Sequence, residues 1–338
     1  MINNNFVGNS ADSVWLAAAK NFMSKENVYS QPSRNGTTIE SLGCCFSIVN
    51  PRNRWVISRS PALNPSFALA EVVWILNGSK DAEVINHWNP ILQNYAGCTA
   101  QYHGAYGYRL RSHFEIDQLD RAFNALSINK DTRQIVLQIW DSTIDLPDTD
   151  GKPQAEDIPC NICSFLKVRK NKLEWMQICR SNDLFLGVPH NFVQFTCLQE
   201  IIAGWLNVDI GSYTHLSDSL HIYQKDLPNF KSLTKIEISD YTESLCLPKD
   251  KSDAALAEIF GFMKAMSSGR LSRNDLLETL NSKYLNESYA NLLCLISADS
   301  ARRKGWDDIS TKLMSYCSNP IYQQLWQRWI HRKKSKNI

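Results

Sequence analysis

The most informative stretch of the chain covers residues 159–191 and reads PCNICSFLKVRKNKLEWMQICRSNDLFLGVPHN. Two runs of strand-forming residues, 160–168 and 173–180, flank the polar turn 169–172, and this pattern predicts a β-hairpin. An antiparallel hairpin brings its two free ends together, so Cys160 and Arg180 are predicted to be neighbours at the open end. A guanidinium beside a thiol can lower the pKa of that thiol or hold an anion.

A helix is predicted after the hairpin, over residues 190–206, because apolar side chains recur at about every fourth position. Asn191 then lies in the first turn of this helix, where its amide either caps the backbone or reaches into a cleft. A strand is predicted over residues 209–215, and His221 and Tyr223 follow just past its end, on one face of an extended segment. Polar groups able to read a flat heterocycle are therefore expected near the open end of the hairpin.

Upstream of the hairpin, Glu71 is the unexpected residue, because its neighbours in a predicted buried helix over residues 67–76 are apolar. It is either a paired or exposed carboxylate on the polar stripe of that helix, or a general acid or base with a raised pKa. The other elements predicted in this half are a helix over 13–25 and strands over 42–49, 55–58 and 135–140.

The composition is typical of a globular protein with a substantial core, since 43% of the 338 residues are apolar and 10% are aromatic. Thirty-six Lys and Arg stand against 34 Asp and Glu, so the net charge of +2 gives no field that favours nucleic acid or a membrane surface. The Asn-rich start lacks the features of a signal peptide, and no eighteen-residue apolar run occurs. We predict a cytoplasmic protein with no membrane partner.

Ten cysteines are spread irregularly along the chain, and reduced thiols are expected without an export signal. Cys160 and Cys163 form a lone C-x-x-C pair, which could be a redox pair at a helix start or half of a zinc site. Both interpretations are disfavoured, because the following residues are typical of a strand and no second Cys or His pair has metal-ligand spacing. No metal is predicted.

The combined order of three motifs resembles thymidylate synthase. These are Pro-Cys at 159–160, Arg-Ser-x-Asp-x-x-x-Gly-x-x-x-Asn at 180–191 and His-x-Tyr at 221–223, with shorter matches at 34–36, 71–78 and 106–107. About two thirds of the chain is covered, and the order is highly specific although each piece alone is weak. The resemblance implies an α+β fold with a mixed, twisted sheet and flanking helices. It also implies a catalytic domain over residues 1–245, with residues 246–338 as a helical C-terminal extension packed on it.

The resemblance implies that Cys160 attacks carbon 6 of a pyrimidine nucleotide, so that carbon 5 takes a one-carbon unit from 5,10-methylenetetrahydrofolate. Arg180 would lower the pKa of this thiol. Arg180 would also hold the nucleotide phosphate with Ser181 and Arg34. Arg133 resembles the arginine that the family donates across a homodimer interface, although a second arginine expected beside it is Gln134 here.

By the same resemblance Asn191 reads the uracil edge, since its amide donates to the 4-oxygen and accepts from the ring N–H; an Asp there would favour cytidylate. Asp183 would hold the pterin ring of folate. The further roles implied are these: His221 and Tyr223 bind the sugar hydroxyl, Trp88 and Gly187 shape the folate face, Glu71 organises water and relays protons, and Tyr106 lies near the thiol.

Three departures from the thymidylate synthase pattern bear on whether the product is methylated or hydroxymethylated. Asn161 stands where the family usually has His, and His190 stands where an apolar aromatic is usual. The basic end at 332–338 replaces the short apolar tail that closes over folate; helices are predicted before it, over 254–265, 272–283 and 320–331. An open site lets water capture the one-carbon unit. We therefore place methylation of deoxyuridylate ahead of hydroxymethylation of deoxyuridylate or deoxycytidylate, with a non-catalytic nucleotide sensor as the alternative of another class.

Overall fold

The computed structural model describes residues 4–24, 28–230, 233, 235–236 and 243–334, and these fall into two compact units. Unit 1 contains the described residues of Met1–Leu63, Gln118–Trp140 and Cys160–Ile238. Unit 2 contains those of Asn64–Asp117, Asp141–Pro159 and Ser239–Ile338. No helix in the described ranges is both long enough and apolar enough to cross a membrane.

Unit 1 is built around a mixed sheet whose strands are numbered along the chain. They are β1 Asn4–Gly8, β2 Tyr29–Gln31, β3 Thr38–Ile48, β4 Val136–Gln138, β5 Asn161–Arg169, β6 Lys172–Asp183 and β7 Asp209–Tyr223. Their spatial order is β1-β3-β7-β6-β5-β4, with β2 beside β3. The β1–β3 and β6–β7 pairs are parallel and the other pairs are antiparallel.

The hairpin predicted from the sequence is confirmed as β5 and β6. Arg169 pairs with Lys172, and the two residues between them, Lys170 and Asn171, have φ values of 50° and 57°. Two consecutive positive φ angles are the geometry of a two-residue type I′ turn, which matches the twist of the flanking strands. This turn sets the register from Arg169 opposite Lys172 to Cys163 opposite Ile178. An irregularity between Asn161 and Cys163 then shifts the pairing by one residue, so that Asn161 lies opposite Cys179.

Three helices accompany the sheet in unit 1: α1 Ala11–Ser24, α6 Gln118–Ile128 and α7 Gly187–Trp205. The connection from β6 to its parallel neighbour β7 runs through α7, as parallel pairing requires. Phe192, Phe195 and Ile201 of α7 are fully buried, so this helix forms the centre of the core of unit 1.

Two details of the sequence-based strand predictions are wrong. The strand predicted to end at residue 215 continues to Tyr223, because β6 pairs with β7 up to His221 and β3 pairs with it up to Tyr223, with Thr38 opposite Tyr223. Residues 55–58 form no strand, although Trp55, Val56 and Ile57 are buried. Both edges of β3 are already paired, with β1 and β7, so this apolar run cannot form a hairpin with β3.

The helices of unit 2 are α2 Pro65–Leu76, α3 Ala82–Asn86, α4 Gln93–Ala96, α5 Tyr106–Tyr108, α8 Lys249–Ser267, α9 Arg273–Glu278, α10 Glu287–Arg303, α11 Asp307–Ser315 and α12 Pro320–Lys334. The predicted helices in the C-terminal region correspond to α8, α9 and α12. Helices α8, α10 and α12 pack against α2, so residues from both sides of the predicted 245/246 boundary share this unit. The boundary itself stays a prediction.

Helix α10 was not predicted, because it lacks a simple apolar stripe. It is nevertheless buried from Tyr289 to Ala301 apart from Ala290, with polar side chains such as Asn291 and Asp299 among the buried residues. Asp299 is fully buried and pairs with Arg302 and Arg303 of the same helix, which offsets the cost of placing its carboxylate in the core.

The contact between α5 and α2 requires glycine at position 107. A Cβ atom on Gly107 would overlap the carbonyl oxygen of Ile75 and lie 2.6 Å from the Cα of Ile75. Since these are backbone atoms, α5 would have to move away from α2, the helix that carries Glu71.

We expect Gly107→Ala to lower the free energy of unfolding by about 2 kcal/mol, because overpacking against a fixed backbone costs about 1–3 kcal/mol. Gly261→Ala on the exposed face of α8 is the matched control, since its Cβ meets nothing within 4 Å. That change should stabilise the protein by about 0.5–1 kcal/mol through helix propensity. Urea unfolding of both variants measures the difference, and equal effects would contradict the contact.

Candidate active site

Four strand ends meet at one edge of the sheet in unit 1. Strand β5 begins there and its partner β6 ends there, while β7, parallel to β6, ends beside it and β3 begins opposite the end of β7. The parallel register sets Asp183 beside His221, and the antiparallel register sets Thr38 beside Tyr223. The predicted site residues gathered at this edge are Arg34, Cys160, Arg180, Ser181, Asp183, His221 and Tyr223.

The structure brings Cys160 and Arg180 together as predicted. The Arg180 N–H donates to the Cys160 carbonyl oxygen at 2.9 Å, which closes the open end of the hairpin. Both residues are half-buried, and the Arg180 guanidinium lies 5.5 Å from the centre of the Trp140 ring. The thiol therefore sits on a strand end that is fixed by the sheet yet is partly open to solvent.

Of the two other predicted arginines, Arg34 lies at the same edge as Cys160 and Arg133 lies at the opposite edge. Arg34 is exposed in the turn between β2 and β3, where the Ser33 hydroxyl donates to the Gly36 carbonyl oxygen at 2.6 Å. Arg133 is exposed just before β4. Continuing the β4–β5 register places Arg133 beside Val168, about 25 Å along the strand from Cys160. Within one chain, Arg133 and Cys160 are not brought together.

Asp183 ends β6 and shapes the turn into α7. Its Oδ1 accepts the backbone N–H groups of Phe185 at 2.7 Å and Leu186 at 2.9 Å. Burial raises the pKa of Asp183 to about 6, and the two N–H donors act in the opposite direction. Among the described residues, both of these hydrogen bonds use Oδ1, which leaves Oδ2 for a ligand donor.

Asn191 is almost fully buried in the first turn of α7, and its amide is held by two other asparagines. Asn161 donates from Nδ2 to the Asn191 Oδ1 at 3.3 Å, and the Asn191 Nδ2 donates to the Asn182 Oδ1 at 3.1 Å. Asn161 is thus a hydrogen-bond partner that orients Asn191. This contact gives a structural role to Asn161, which stands where the family usually has His. A Cβ on Gly187 would lie 2.9 Å from the Asn182 Oδ1, so glycine there leaves room for this amide.

The amide contacts continue in both directions. On one side, the Gln177 Nε2 donates to the Asn161 Oδ1 at 3.0 Å, and the Trp175 Nε1 lies 3.4 Å from the Gln177 Oε1. On the other side, the Asn182 Nδ2 contacts the His215 Nε2 at 2.8 Å. We call the seven residues Trp175, Gln177, Asn161, Asn191, Asn182, His215 and Tyr213 the amide relay.

His215 reaches the Tyr213 hydroxyl through its Nδ1 at 2.8 Å. It is fully buried against the rings of Phe46 and Phe192, and burial lowers the pKa of His215 to about 3. The imidazole is therefore neutral and carries one N–H. Because Nε2 accepts from the Asn182 amide nitrogen, that proton is on Nδ1 and is donated to Tyr213.

Gln177, Asn182 and His215 were missed by the sequence analysis. A signal was present, because Gln177 and His215 occupy inward-facing positions of strands whose other inward residues are largely apolar or aromatic. A polar side chain at such a position needs a buried partner. The partners themselves lie on other elements, and only the fold reveals them.

His221 and Tyr223 lie on one face of β7 with their rings 5.6 Å apart and perpendicular. Burial lowers the pKa of His221, and its register partner Glu40 acts in the opposite direction. The carboxylate of Glu40 accepts the Ser219 hydroxyl at 2.6 Å. His221 is thus held mainly neutral, as a hydrogen-bonding group rather than a cation.

Glu71, Tyr106 and Trp88 belong to unit 2. Glu71 is half-buried on α2, and Tyr106 begins α5, which packs on α2 through Gly107. Trp88 is fully buried, and its indole N–H donates to the Ile296 carbonyl oxygen of α10 at 3.0 Å. Its predicted folate contact stays a prediction, and its observed contacts are internal packing.

The ten cysteines are all free thiols. Asn161 and Cys163 flank an irregularity in the β5–β6 register, and burial raises the pKa of Cys163. In the parts of the chain that the structure describes, no three His, Cys, Asp or Glu side chains converge as ligands for a metal ion.

A family model, curated proteins and a solved structure are similar to this chain. The family model described as Thymidylate synthase matches residues 21–261. The deoxyuridylate hydroxymethyltransferase of Pseudomonas phage M6 is 33% identical over 196 residues, which are 57% of this chain and 54% of that protein. The deoxyuridylate hydroxymethyltransferase of Bacillus phage SP01 is 34% identical over 188 residues, which are 52% and 48% of the two chains. The chain thus spans about half the length of the curated relatives it matches.

The crystal structure of thymidylate synthase from T4 phage has a similar fold, with a TM-score of 0.52 and 21% identity. The similarity covers 67% of this chain and 82% of that chain. It confirms the predicted α+β class with a mixed sheet and flanking helices.

Because the pKa of Asp183 is raised in the folded protein, we expect the free energy of unfolding to depend on pH. The pKa in the folded protein, about 6, lies above the ordinary value of 3.8, so the folded state binds more protons between these values. The stabilisation is present at low pH and is lost as pH rises through 6. Asp183→Asn keeps the Oδ1 acceptor and removes the titration, so the wild type should lose stability relative to this variant from pH 4 to 7.

Urea unfolding of both proteins at a series of pH values measures this difference. Parallel stability profiles would show that Asp183 has an ordinary pKa in the folded protein.

Proposed function

The chain belongs to the thymidylate synthase family, and from this premise we propose that it transfers a one-carbon unit to carbon 5 of deoxyuridylate through a covalent adduct at Cys160. The observation that carries the proposal is the closure of the β5–β6 hairpin, which sets Cys160 beside Arg180 at the edge where Ser181, Asp183 and His221 also lie. A nucleophile, an anion-binding group and polar groups for a base and a sugar are thereby grouped in one unit.

In the proposed reaction, the Cys160 thiolate adds to carbon 6 of the pyrimidine, and a carbon–sulfur bond forms. The electrons of the 5,6 double bond move toward the 4-oxygen, which makes carbon 5 nucleophilic. Carbon 5 would then take the one-carbon unit and lose its proton as the carbon–nitrogen bond between that unit and its donor breaks. Addition of water or hydride to the transferred carbon would let the carbon–sulfur bond break, which frees Cys160 and restores the 5,6 double bond. Arg180 favours the thiolate form at the first step.

The nucleotide would be held by groups with separate tasks. Arg180, Ser181 and Arg34 bind the phosphate, since guanidinium groups pair well with phosphate oxygens. His221 and Tyr223 bind the sugar hydroxyl. The nearly buried Asn191 reads the base, because its amide keeps one acceptor site and one donor hydrogen beyond those used by Asn161 and Asn182.

Proton transfers are assigned to Glu71, with Tyr106 in a supporting role. Support for this assignment comes from the family motif and from the position of Glu71 on an otherwise buried helix of unit 2. We propose that this carboxyl takes or returns the protons that the addition and elimination steps require.

The folate cofactor, 5,10-methylenetetrahydrofolate, supplies the one-carbon unit when bound and, for methylation, the hydride that reduces it. The residues present fit its pterin ring at Asp183. Oδ1 of this carboxyl is fixed by two backbone N–H groups, and Oδ2 is available to a ring N–H.

The product depends on whether water or hydride reaches the transferred carbon. Two phage deoxyuridylate hydroxymethyltransferases are 33–34% identical to the chain, and this observation favours 5-hydroxymethyldeoxyuridylate as the product. Methylation to thymidylate, which the sequence analysis placed ahead, is the second candidate and is supported by the family as a whole.

A second copy of the chain is the proposed partner. The outer face of the sheet carries a register row that crosses six strands: Val7, Ser47, Thr214, Met176, Phe165 and Val136. Val7, Met176 and Val136 are 65%, 41% and 47% exposed, so this apolar face favours burial against another surface. In a dimer, Arg133 of one copy would serve the phosphate site of the other.

Mass spectrometry after incubation with deoxyuridylate and methylenetetrahydrofolate tests the activity. We expect a Cys160-dependent 5-hydroxymethyl product, lowered by about a thousandfold or more in Cys160→Ser because the nucleophile is lost. Cys163→Ser, the same change three residues along β5, is the control and should keep activity. A methyl product would select the second candidate. Tight nucleotide binding without exchange of the carbon 5 hydrogen would favour a sensor instead.

The dimer is tested by sedimentation velocity of the full chain. Wild type should sediment as two copies, and Met176→Lys should weaken association because it places a charge in the apolar row. Ile128→Lys, which changes an 88% exposed residue outside that row, should leave association unchanged. A monomeric wild type at micromolar concentration would rule out this partner.

A further inference from the structure

A lone asparagine amide does not by itself distinguish uracil from cytosine. Uracil offers an acceptor at the 4-oxygen and a donor at N3, and cytosine offers the reverse pair. Rotating an asparagine amide by half a turn exchanges its donor and its acceptor. Whatever fixes the Asn191 amide against this rotation therefore decides which base it reads.

Along the amide relay, every hydrogen bond is donated in the same direction, from Trp175 toward Tyr213. Trp175, at one end, has an indole N–H that can donate and cannot accept, so the Gln177 Oε1 faces it. The Gln177 Nε2 then faces Asn161, and each later amide receives at its oxygen and donates from its nitrogen until His215 is reached. His215 accepts at Nε2 and carries its proton on Nδ1.

Reversing the relay meets an obstacle at Gln177, whose Nε2 also lies 3.5 Å from the Ile178 carbonyl oxygen, a contact at the limit of hydrogen-bond distance. If every amide rotated and His215 moved its proton to Nε2, the contacts from Tyr213 to Asn161 would all be satisfied in the opposite sense. At Gln177, however, the amide nitrogen would then face the Trp175 N–H, donor against donor. Ser164, whose hydroxyl lies 2.5 Å from the Gln177 Oε1, can either donate or accept and so opposes neither direction.

We propose that Trp175 is a positioning residue for base selection: through Gln177 and Asn161, its N–H sets the orientation of the Asn191 amide to the one that is complementary to uracil. This inference rests on the proposed function for the identity of the base. The side chain of Asn191 alone could rotate its amide by half a turn. The relay prevents this rotation and so fixes which amide atom donates to the base and which accepts from it. Trp175 and Gln177 act at a distance and do not touch the nucleotide.

The test compares Trp175→Phe with wild type by two measurements. The first is binding of deoxyuridylate and deoxycytidylate by calorimetry without folate, where the ratio of the two affinities should fall about tenfold or more because either amide orientation becomes accessible. The second is the nitrogen-15 spectrum of the His215 ring. Wild type should show the proton on Nδ1, and the variant should show a substantial population with the proton on Nε2.

Gln177→Met cuts the relay at its second member and should lower the affinity ratio in the same way. Asn191→Asp is the positive reference and should favour deoxycytidylate. Trp15→Phe is the matched control, since it also removes a buried indole N–H bond of unit 1, to the Leu184 carbonyl oxygen, and lies outside the relay. It should lower stability and leave both the affinity ratio and the His215 proton unchanged.

A Trp175→Phe protein with the wild-type affinity ratio and the wild-type His215 proton position would overturn the inference. So would an equal loss of selectivity in Trp15→Phe. If wild type bound neither nucleotide, the proposed function would fail, and the position of the His215 proton in Trp175→Phe would still decide whether Trp175 sets the direction of the relay.

Discussion

The candidate site depends on the pairing of β6 with two neighbours of opposite sense. On one side β6 is antiparallel to β5, so the end of β6 meets the start of β5 and Cys160. On the other side it is parallel to β7, so both strands end at the same edge. A sheet with antiparallel neighbours on both sides would place the end of β7 far from the thiol. Mixed pairing is thus the constraint that turns distant sequence motifs into one cluster.

Much of this cluster could be predicted because its local signals are strong. A two-residue turn between alternating strands specifies the hairpin, and the hairpin specifies that Cys160 and Arg180 meet. The motif residues Asp183 and Asn191 follow at fixed spacing along β6 and α7. In such cases the information lies within about thirty residues, and elementary strand geometry is sufficient to use it.

The other features of the fold and the site could not be predicted from residues close together in the sequence. The strand expected at 55–58 failed because the edge it needed was taken by β7, a strand more than 150 residues further along the chain. Helix α10 escaped prediction because neighbours pack around it and its buried face includes paired polar groups such as Asp299. Asn161 departs from the family pattern, and the sequence does not show that its amide is hydrogen-bonded to Gln177 on one side and to Asn191 on the other. In each instance the deciding partner is remote in sequence.

The amide relay also constrains how this protein can evolve. Its members share their donors and acceptors in series inside the core, so replacing one of them leaves a buried polar group of the next one unpaired, at a cost of about 1–3 kcal/mol. Effects of substitutions within such a series do not add. Few single substitutions of relay residues are therefore neutral, and a second substitution in the relay must often accompany the first. A lineage that acquired a different base preference would therefore be expected to carry exchanged residues at several of these positions together, as one inherited block.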